Sequence, residues 1–285
     1  MNIGDLVVRK SYDKDITFKI IDVKDKDGKT TYILKGISIR IIADSDGSDL
    51  EEAPENHIGD TEKILNSRVK KAIRSAVKLR ADLVPRTNKR LDNSEEMMFG
   101  RPGKILHVDG DEEYMETCLK VYKQLSLDAV GRAVPERKQP DVIVDLVKEI
   151  KPDIVVLTGH DGVEKDSKDY LDLHCYRNSK YYIEAIKALR NYNSSYDELV
   201  IFAGACQSCY EGMLDAGANF ASSPNRVLIH CLDPVFVCEK IAYTRIDEIV
   251  SIKDVIDSTI TGIKGIGGLQ TRGKYREGYP RSSYL

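Results

Sequence analysis

The chain has 285 residues, with 43 Lys and Arg against 46 Asp and Glu and a formal net charge of −3, so it has no overall pull toward phosphate backbones or anionic membranes. No run approaches the ~18 apolar residues that span a bilayer, and the opening MNIGDLVVRK lacks the charged, apolar, small order of a secretory signal. A cytoplasmic protein with no membrane or nucleic-acid partner is expected, built as one large unit and one small one, its six cysteines free thiols.

Residues 4–43 alternate apolar and polar residues in short runs, DLVVRK, ITFKIIDV, TTYILKGI and IRIIAD, broken by turns at Asp13-Lys14-Asp15 and Asp27-Gly28. The rhythm predicts a small antiparallel, SH3-like β-barrel over residues 1–45, with a docking or scaffolding role. Acidic DGSDLEEAPEN (46–56) reads as a linker. In TEKILNSRVKKAIRSAVKLRADLVP, Leu65, Val69, Ala72, Ile73 and Ala76 recur at helical spacing while basic residues cover the other faces. That is the pattern of a solvated helix packed by one stripe, more than of a polyanion-binding arm. VPRTNKRLDNSEEMMFGRPG (84–103) is polar and breaker-rich, an exposed loop. Residues 46–103 thus form a connector.

From residue 104 the rhythm becomes strand, helix, strand, helix. KILHVDGD, DAVGRAVP, DIVVLTG, ELVIFAG and RVLIHCLDP read as strands. EEYMETCLKVYKQL, PDVIVDLVKEIK, SKYYIEAIKALRNY, QSCYEGMLDAG and IKDVIDSTITG read as helices, and GIGGLQTRGKYREGYPRSSYL as a loop and tail. Near-continuous β-branched runs indicate strands covered on both faces. The expected fold over 104–285 is an α/β sandwich, an open, mainly parallel sheet flanked by helices.

In such sheets ligands bind beyond the carboxyl ends of the strands. DIVVLTG delivers His160 there and ELVIFAGA delivers Cys206, with a single helix between the two strands. A helix starting at QSCYEG would place Cys206 at its positive end, favouring thiolate, with His160 as the base. The backbone N–H of Cys206 and that of Asp161 or Gly162 would bind an oxyanion. The constellation suits acyl transfer, specifically peptide hydrolysis.

A hydrophobic strand ending in His near Gly, then a hydrophobic strand ending in Ala-Cys, resembles the caspase-like cysteine peptidases, whose His lies about 50 residues before Gln-Ala-Cys-x-Gly. Here the run is Gly204-Ala205-Cys206-Gln207-Ser208, and His160 precedes Cys206 by 46 positions. Gly204 and Ser208 depart from that pattern, and Asp161 separates His160 from Gly162. Across nearly the whole chain, GDLVVRKSY, LHVDGD, LTGHDG, GACQSCYEG, ANFASSPNRVLIHCLDPV and GIGGLQTRGK are similar to the YabG family of sporulation-specific cysteine peptidases.

That resemblance implies a caspase-like fold, a Cys206–His160 catalytic pair, and cleavage of spore coat and other spore precursor proteins, often after arginine. It also implies residence in the mother cell of a sporulating bacterium, with association to the spore coat. No cofactor is implied, although some caspase-like peptidases depend on calcium. Arginine preference requires an acid in the substrate pocket, for which Asp161, Glu164, Asp166 and Asp233 qualify by position. Arg86, Arg90 and Arg101, in the exposed loop, become self-processing candidates.

Rival readings use the same residues. Cys206 and Cys209 form a C-x-x-C pair, but Cys231 and Cys238 are poorly spaced as a second zinc pair, even with His174 or His230. The HVDGD and TGHDG turns suit a receiver-like, metal- or phosphate-binding regulatory module with Asp109, Asp111 and Asp161 as ligands, although no Walker-type or dinucleotide fingerprint accompanies them. His107 and His230 sit in apolar runs and are expected in the core.

Overall fold

A computed structural model describes residues 1–26, 28–53, 60–83, 98–164, 167 and 169–282. Its first unit is an antiparallel sheet of five strands, β1 (Leu6–Arg9), β2 (Thr17–Lys26), β3 (Lys29–Gly36), β4 (Ile42–Asp46) and β5 (Leu50–Glu52), in the order β4-β3-β2-β1-β5. Val7, Phe18, Ile20, Leu34 and Leu50 form its core. Strand β5 lies in the acidic stretch read as linker. One apolar residue, Leu50, anchors it beside β1, and a single residue leaves no alternation to read.

Helix α1 (Asp60–Leu83) forms as its spacing predicts, and Leu65, Val69, Ala72, Ile73 and Ala76 pack on the core of the second unit. Among the described residues no helix is long and apolar enough to cross a membrane. Strand β6 (Phe99–Arg101) falls in the expected loop, where it pairs with β13 (Arg276–Gly278) from the expected tail.

The second unit alternates β7 (Ile105–Asp109), α2 (Glu112–Gln124), β8 (Ala129–Ala133), α3 (Gln139–Ile150), β9 (Ile154–Thr158), α4 (Ser179–Tyr192), β10 (Val200–Ala203), α5 (Tyr210–Asp215) and β11 (Phe220–Ser222). Helices α6 (Asp233–Tyr243) and α7 (Ile252–Ser258) and strand β12 (Ile266–Gly268) complete it. The six-stranded sheet has the order β12-β11-β10-β9-β7-β8, parallel except for β12. Alternate residues of each strand feed opposite faces. Ile154, Val156, Val200 and Phe202 meet α2 and α6, whereas Val155, Leu157, Ile201 and Ala203 meet α3 and α4.

Two parts of this unit differ from expectation. RVLIHCLDP is not a strand of the sheet. It is apolar because the β3–β4 hairpin covers it: Cys231 N–H donates to Ser38 O (2.9 Å), Arg40 N–H to Ile229 O (3.3 Å), and Ile39 bridges His230. The sheet instead gains β11 and β12, the latter from the glycine-rich stretch. Gly268 is required there, since a Cβ would come within 2.4 Å of the Phe220 ring.

The chain leaves β7 toward β8 on one side and returns to β9 on the other. Connections therefore diverge between β7 and β9, and such a switch point opens a crevice at the strand ends.

Candidate active site

Three strand ends meet at this crevice: β7 carries Asp109 and leads to Asp111, β9 leads to His160, and β10 leads to Cys206. Beyond β9, Gly159 allows Glu136 to come close. A Cβ there would lie 2.3 Å from Glu136 Oε1, the oxygen that accepts from His160 N–H at 2.7 Å. The His160 carbonyl accepts from Asn178 Nδ2 at 2.8 Å and from the Tyr182 hydroxyl at 3.3 Å. The backbone at His160 is therefore fixed from both sides.

The His160 ring meets Asp111, with Nε2 2.9 Å from Oδ2. Burial would raise the Asp111 carboxyl, but the bonds from His160 and Lys35 prevail and hold it down to about 2. An ionised carboxylate only accepts, so Nε2 bears a proton, and in the neutral form of the ring Nδ1 is then the free acceptor. That Nδ1 is buried and has no hydrogen-bond partner. Asp111 is immobilised in turn, because Oδ1 caps α2 through Glu113 N–H (3.0 Å) and Tyr114 N–H (3.2 Å).

Cys206 follows Gly204, whose φ of +113° favours glycine and whose Cβ position is occupied by Ser222 Oγ at 2.3 Å. The Ser222 hydroxyl donates to Ala205 O (2.7 Å), and Ala205 N–H donates to Ser208 Oγ (2.9 Å), fixing the turn on both sides of the thiol. Cys206 Sγ accepts from Ile229 N–H at 3.2 Å. Burial pushes the thiol up to about 12 despite that contact. Helix α5 begins only at Tyr210, so its N-terminus does not supply the activation expected for Cys206. The intervening Gln207 has φ of 55°, which breaks the helical path between the cysteine and α5.

Strands β9 and β10 are adjacent and parallel, so histidine and cysteine emerge at the same end of the sheet. Tyr114 packs on the histidine, its ring centroid 5.7 Å from that of His160. Cys206 is 1 % exposed, yet it lines a cleft of about 510 Å³ with Asp161, Gly162, Glu164, Gln207 and, from the N-terminal sheet, Arg40 to Ile42. Ile41, Ile42, Val163, Glu164 and Gln207 also border a second cleft of about 770 Å³ along β4. The two clefts share these five residues and are therefore contiguous.

Of the amides expected to bind an oxyanion, Gly162 N–H is taken by Asp161 Oδ1 at 2.9 Å. Those of Cys206 and Asp161 have no partner among the described residues. The Asp161 carboxylate also accepts from Asn178 N–H (2.8 Å) and the Ser179 hydroxyl, and burial raises its pKa. Asp233 is fully buried and accepts from His230 N–H, Ile260 N–H and Thr261, again with its pKa raised by burial. Both acids organise loops. Glu164 is exposed at the cleft, whereas Asp166, Arg86 and Arg90 lie outside the described residues. Arg101 is exposed in β6 rather than in a loop.

The carboxylates of the regulatory-module reading are likewise committed. Asp109 is gripped by Arg40, Asp111 by Lys35 and His160, and Asp161 by the loop it organises. His107 and His230 are buried as expected; His107 lies among Tyr122, Thr158 and Asp109.

Sequence reasoning missed Asp111 in this role, and missed Lys35 and Arg40 altogether. The signal for Asp111 was HVDGD, an acid just past a strand next to the histidine strand. Nothing local marks Lys35 or Arg40, whose partners lie far along the chain.

A buried thiol that lines a cleft and an imidazole oriented by a carboxylate, carried at the same end of adjacent parallel strands, is an arrangement suited to a hydrolase. Residues 2–280 match the family YabG peptidase U57, and the chain belongs to this family of peptidases. It is 41 % identical over 290 residues, 99 % of this chain and 98 % of the relative, to the Sporulation-specific protease YabG of Bacillus subtilis (strain 168).

Proposed function

We propose that this chain is a cysteine endopeptidase of sporulation that cuts spore coat and other spore precursor proteins after arginine in the mother cell, and that it associates with the coat. The observation that carries the mechanism is the contact of His160 Nε2 with Asp111 Oδ2, which leaves Nδ1 buried and without a partner. Because the Cys206 thiol is held up to about 12, it rests protonated and needs a base when substrate arrives.

Nδ1 takes the thiol proton as sulfur attacks the scissile carbonyl carbon, and the amides of Cys206 and Asp161 receive the oxyanion. Asp111 stabilises the imidazolium through Nε2. The C–N bond then breaks as Nδ1–H protonates the leaving amine, leaving a thioester on Cys206. Water, deprotonated by Nδ1, attacks the thioester; the carboxyl product departs and the thiolate regains its proton.

Glu164 is the acid assigned to a substrate arginine, since its carboxylate is exposed at the cleft and Asp161 and Asp233 are occupied. Self-cleavage at Arg86, Arg90 or Arg101 follows from the same specificity.

Co-expression with a coat precursor tests the assignment. The native protein is expected to shorten the precursor and Cys206→Ala and His160→Ala to leave it intact. Processing by Cys206→Ala would end the proposal. Equal fragmentation of native and Cys206→Ala chains would end the self-cleavage part of it.

A further inference from the structure

We propose that the N-terminal sheet is a working part of the peptidase site, in which Lys35 acts as a positioning residue that holds Asp111, and through it the His160 imidazole, in place. The inference rests on Cys206 and His160 being the reacting pair.

Lys35 lies on β3 and is 8 % exposed. Its ammonium is 2.6 Å from Asp111 Oδ1 and 2.8 Å from Glu113 Oε2, and lies 4.6 Å from the centroid of the Tyr114 ring. The Asp111 carboxylate therefore has two sides: Oδ1 faces the lysine and the first turn of α2, and Oδ2 faces the catalytic imidazole. Tyr114 completes the link. Its hydroxyl bonds Gly36 O and Ile39 O in the N-terminal hairpin while its ring packs on His160.

Docking alone does not call for this arrangement. Removing an ammonium and a carboxylate from water carries a desolvation penalty that an apolar pair avoids, so a buried ion pair is a poor way to join two units. The N-terminal sheet is also joined to α2 by Lys19, on β2, and Glu113, whose side chains are 37 % and 58 % exposed, and that surface pair connects to His160 only through Lys35 and Asp111. What Lys35 adds is a fixed positive charge beside a carboxylate that must stay ionised and unrotated while the imidazole takes up a proton. Arg40 to Ile42, on the same hairpin, form one wall of the cleft around Cys206. The site is incomplete without this sheet.

The test uses the full chain and an internally quenched peptide that the native protein cleaves. Lys35→Gln is expected to lower kcat by about 10- to 100-fold with KM little changed, the pattern of an interaction made in the transition state. Lys35→Arg should restore most of the rate, and Lys19→Gln should match the native protein. Side-chain ¹⁵N spectra of His160, read from the resonances of the folded form, should show Nε2 protonated in the native protein and a mixture of tautomers in Lys35→Gln.

Native kcat and a native tautomer in Lys35→Gln would overturn the inference, as would a loss of rate that merely tracks the unfolded fraction. If Cys206→Ala or His160→Ala retained activity, the failure would belong to the assignment of the reacting pair instead.

Discussion

Arg40, from the β3–β4 hairpin, grips both carboxylate oxygens of Asp109 at the end of β7, at 3.0 and 2.6 Å, and both side chains are wholly buried. Asp109 accepts further bonds from the Thr158 hydroxyl and from Asp111 N–H. The joint between the two units is thus continuous with the turn that carries the acid facing His160.

Breaking that pair from one side strands a charge. Arg40→Met is expected to destabilise the protein by about 3–5 kcal/mol, the cost of an uncompensated buried carboxylate. The double variant Arg40→Met/Asp109→Asn should cost less than the sum of its parts. Urea unfolding of all four proteins provides the cycle, and simple additivity would show that the two groups are energetically independent.

Asp111→Asn keeps the cap on α2 while removing the charge. It is expected to lower kcat by roughly 100-fold or more, because the amide no longer fixes a single imidazole tautomer or supports its cation. The folded Asp111 carboxyl is held to about 2 against 3.8 ordinarily. Its contribution is therefore complete above about pH 4 and lost as pH falls through 2, on the order of 2 kcal/mol at neutrality. The stability gap between native and variant should close across that window in unfolding curves.

His230 gives acid sensitivity of the opposite origin. Burial chiefly, and Arg40 next, lower its pKa to about 4 from 6.5. Between those values the unfolded chain takes up a proton that the folded one refuses, so stability falls by about 1.4 kcal/mol per pH unit as the solution is acidified. His230→Asn retains an acceptor for Leu232 N–H, which now bonds Nδ1 at 3.1 Å. Its stability should be flatter with pH between 6.5 and 4, and an unchanged slope would assign the proton uptake elsewhere.

Two glycines near the site differ in what they tolerate. Gly204→Ala would force a Cβ to 2.3 Å from Ser222 Oγ at a φ of +113°, so a loss of at least 1–3 kcal/mol is expected. At Gly162 a Cβ meets Gln207 Oε1 at 3.8 Å, and Gly162→Ala should melt within a few degrees of the native protein. Thermal melts of both variants provide the comparison.

Glu164→Gln should raise KM for an arginine substrate by about 10-fold or more while sparing a neutral one, since a guanidinium then loses its carboxylate. Equal effects on both peptides would move the specificity acid to another residue.

The central strands could be read from sequence because both faces are covered: IVVLT and VIFA are apolar throughout, and the residues just past each run sit at the mouth of the sheet. His160 and Cys206 were legible for that reason. Strands β11 and β12 were not, since FAS and IGG are too short and too small to carry a period. RVLIHCLDP misled because its apolar character answers to the hairpin lying over it, not to a place in the sheet. Lys35 and Arg40 look like ordinary strand and loop cations, and their roles arise only when the two units close on each other. The orientation of the histidine, unlike its location, depends on Asp111, which the sequence places on another strand end.

Strand β12 brings the far end of the chain back to shield the edge of β11. In chain order the cysteine precedes the segment that finishes its sheet. The opening forty residues likewise find the partners of Arg40 only in the second unit. The sheet that carries Cys206 is thus closed by a strand well further along the chain, and the neighbouring unit is built from the chain's opening residues, so the cleft draws its walls from both halves of the sequence.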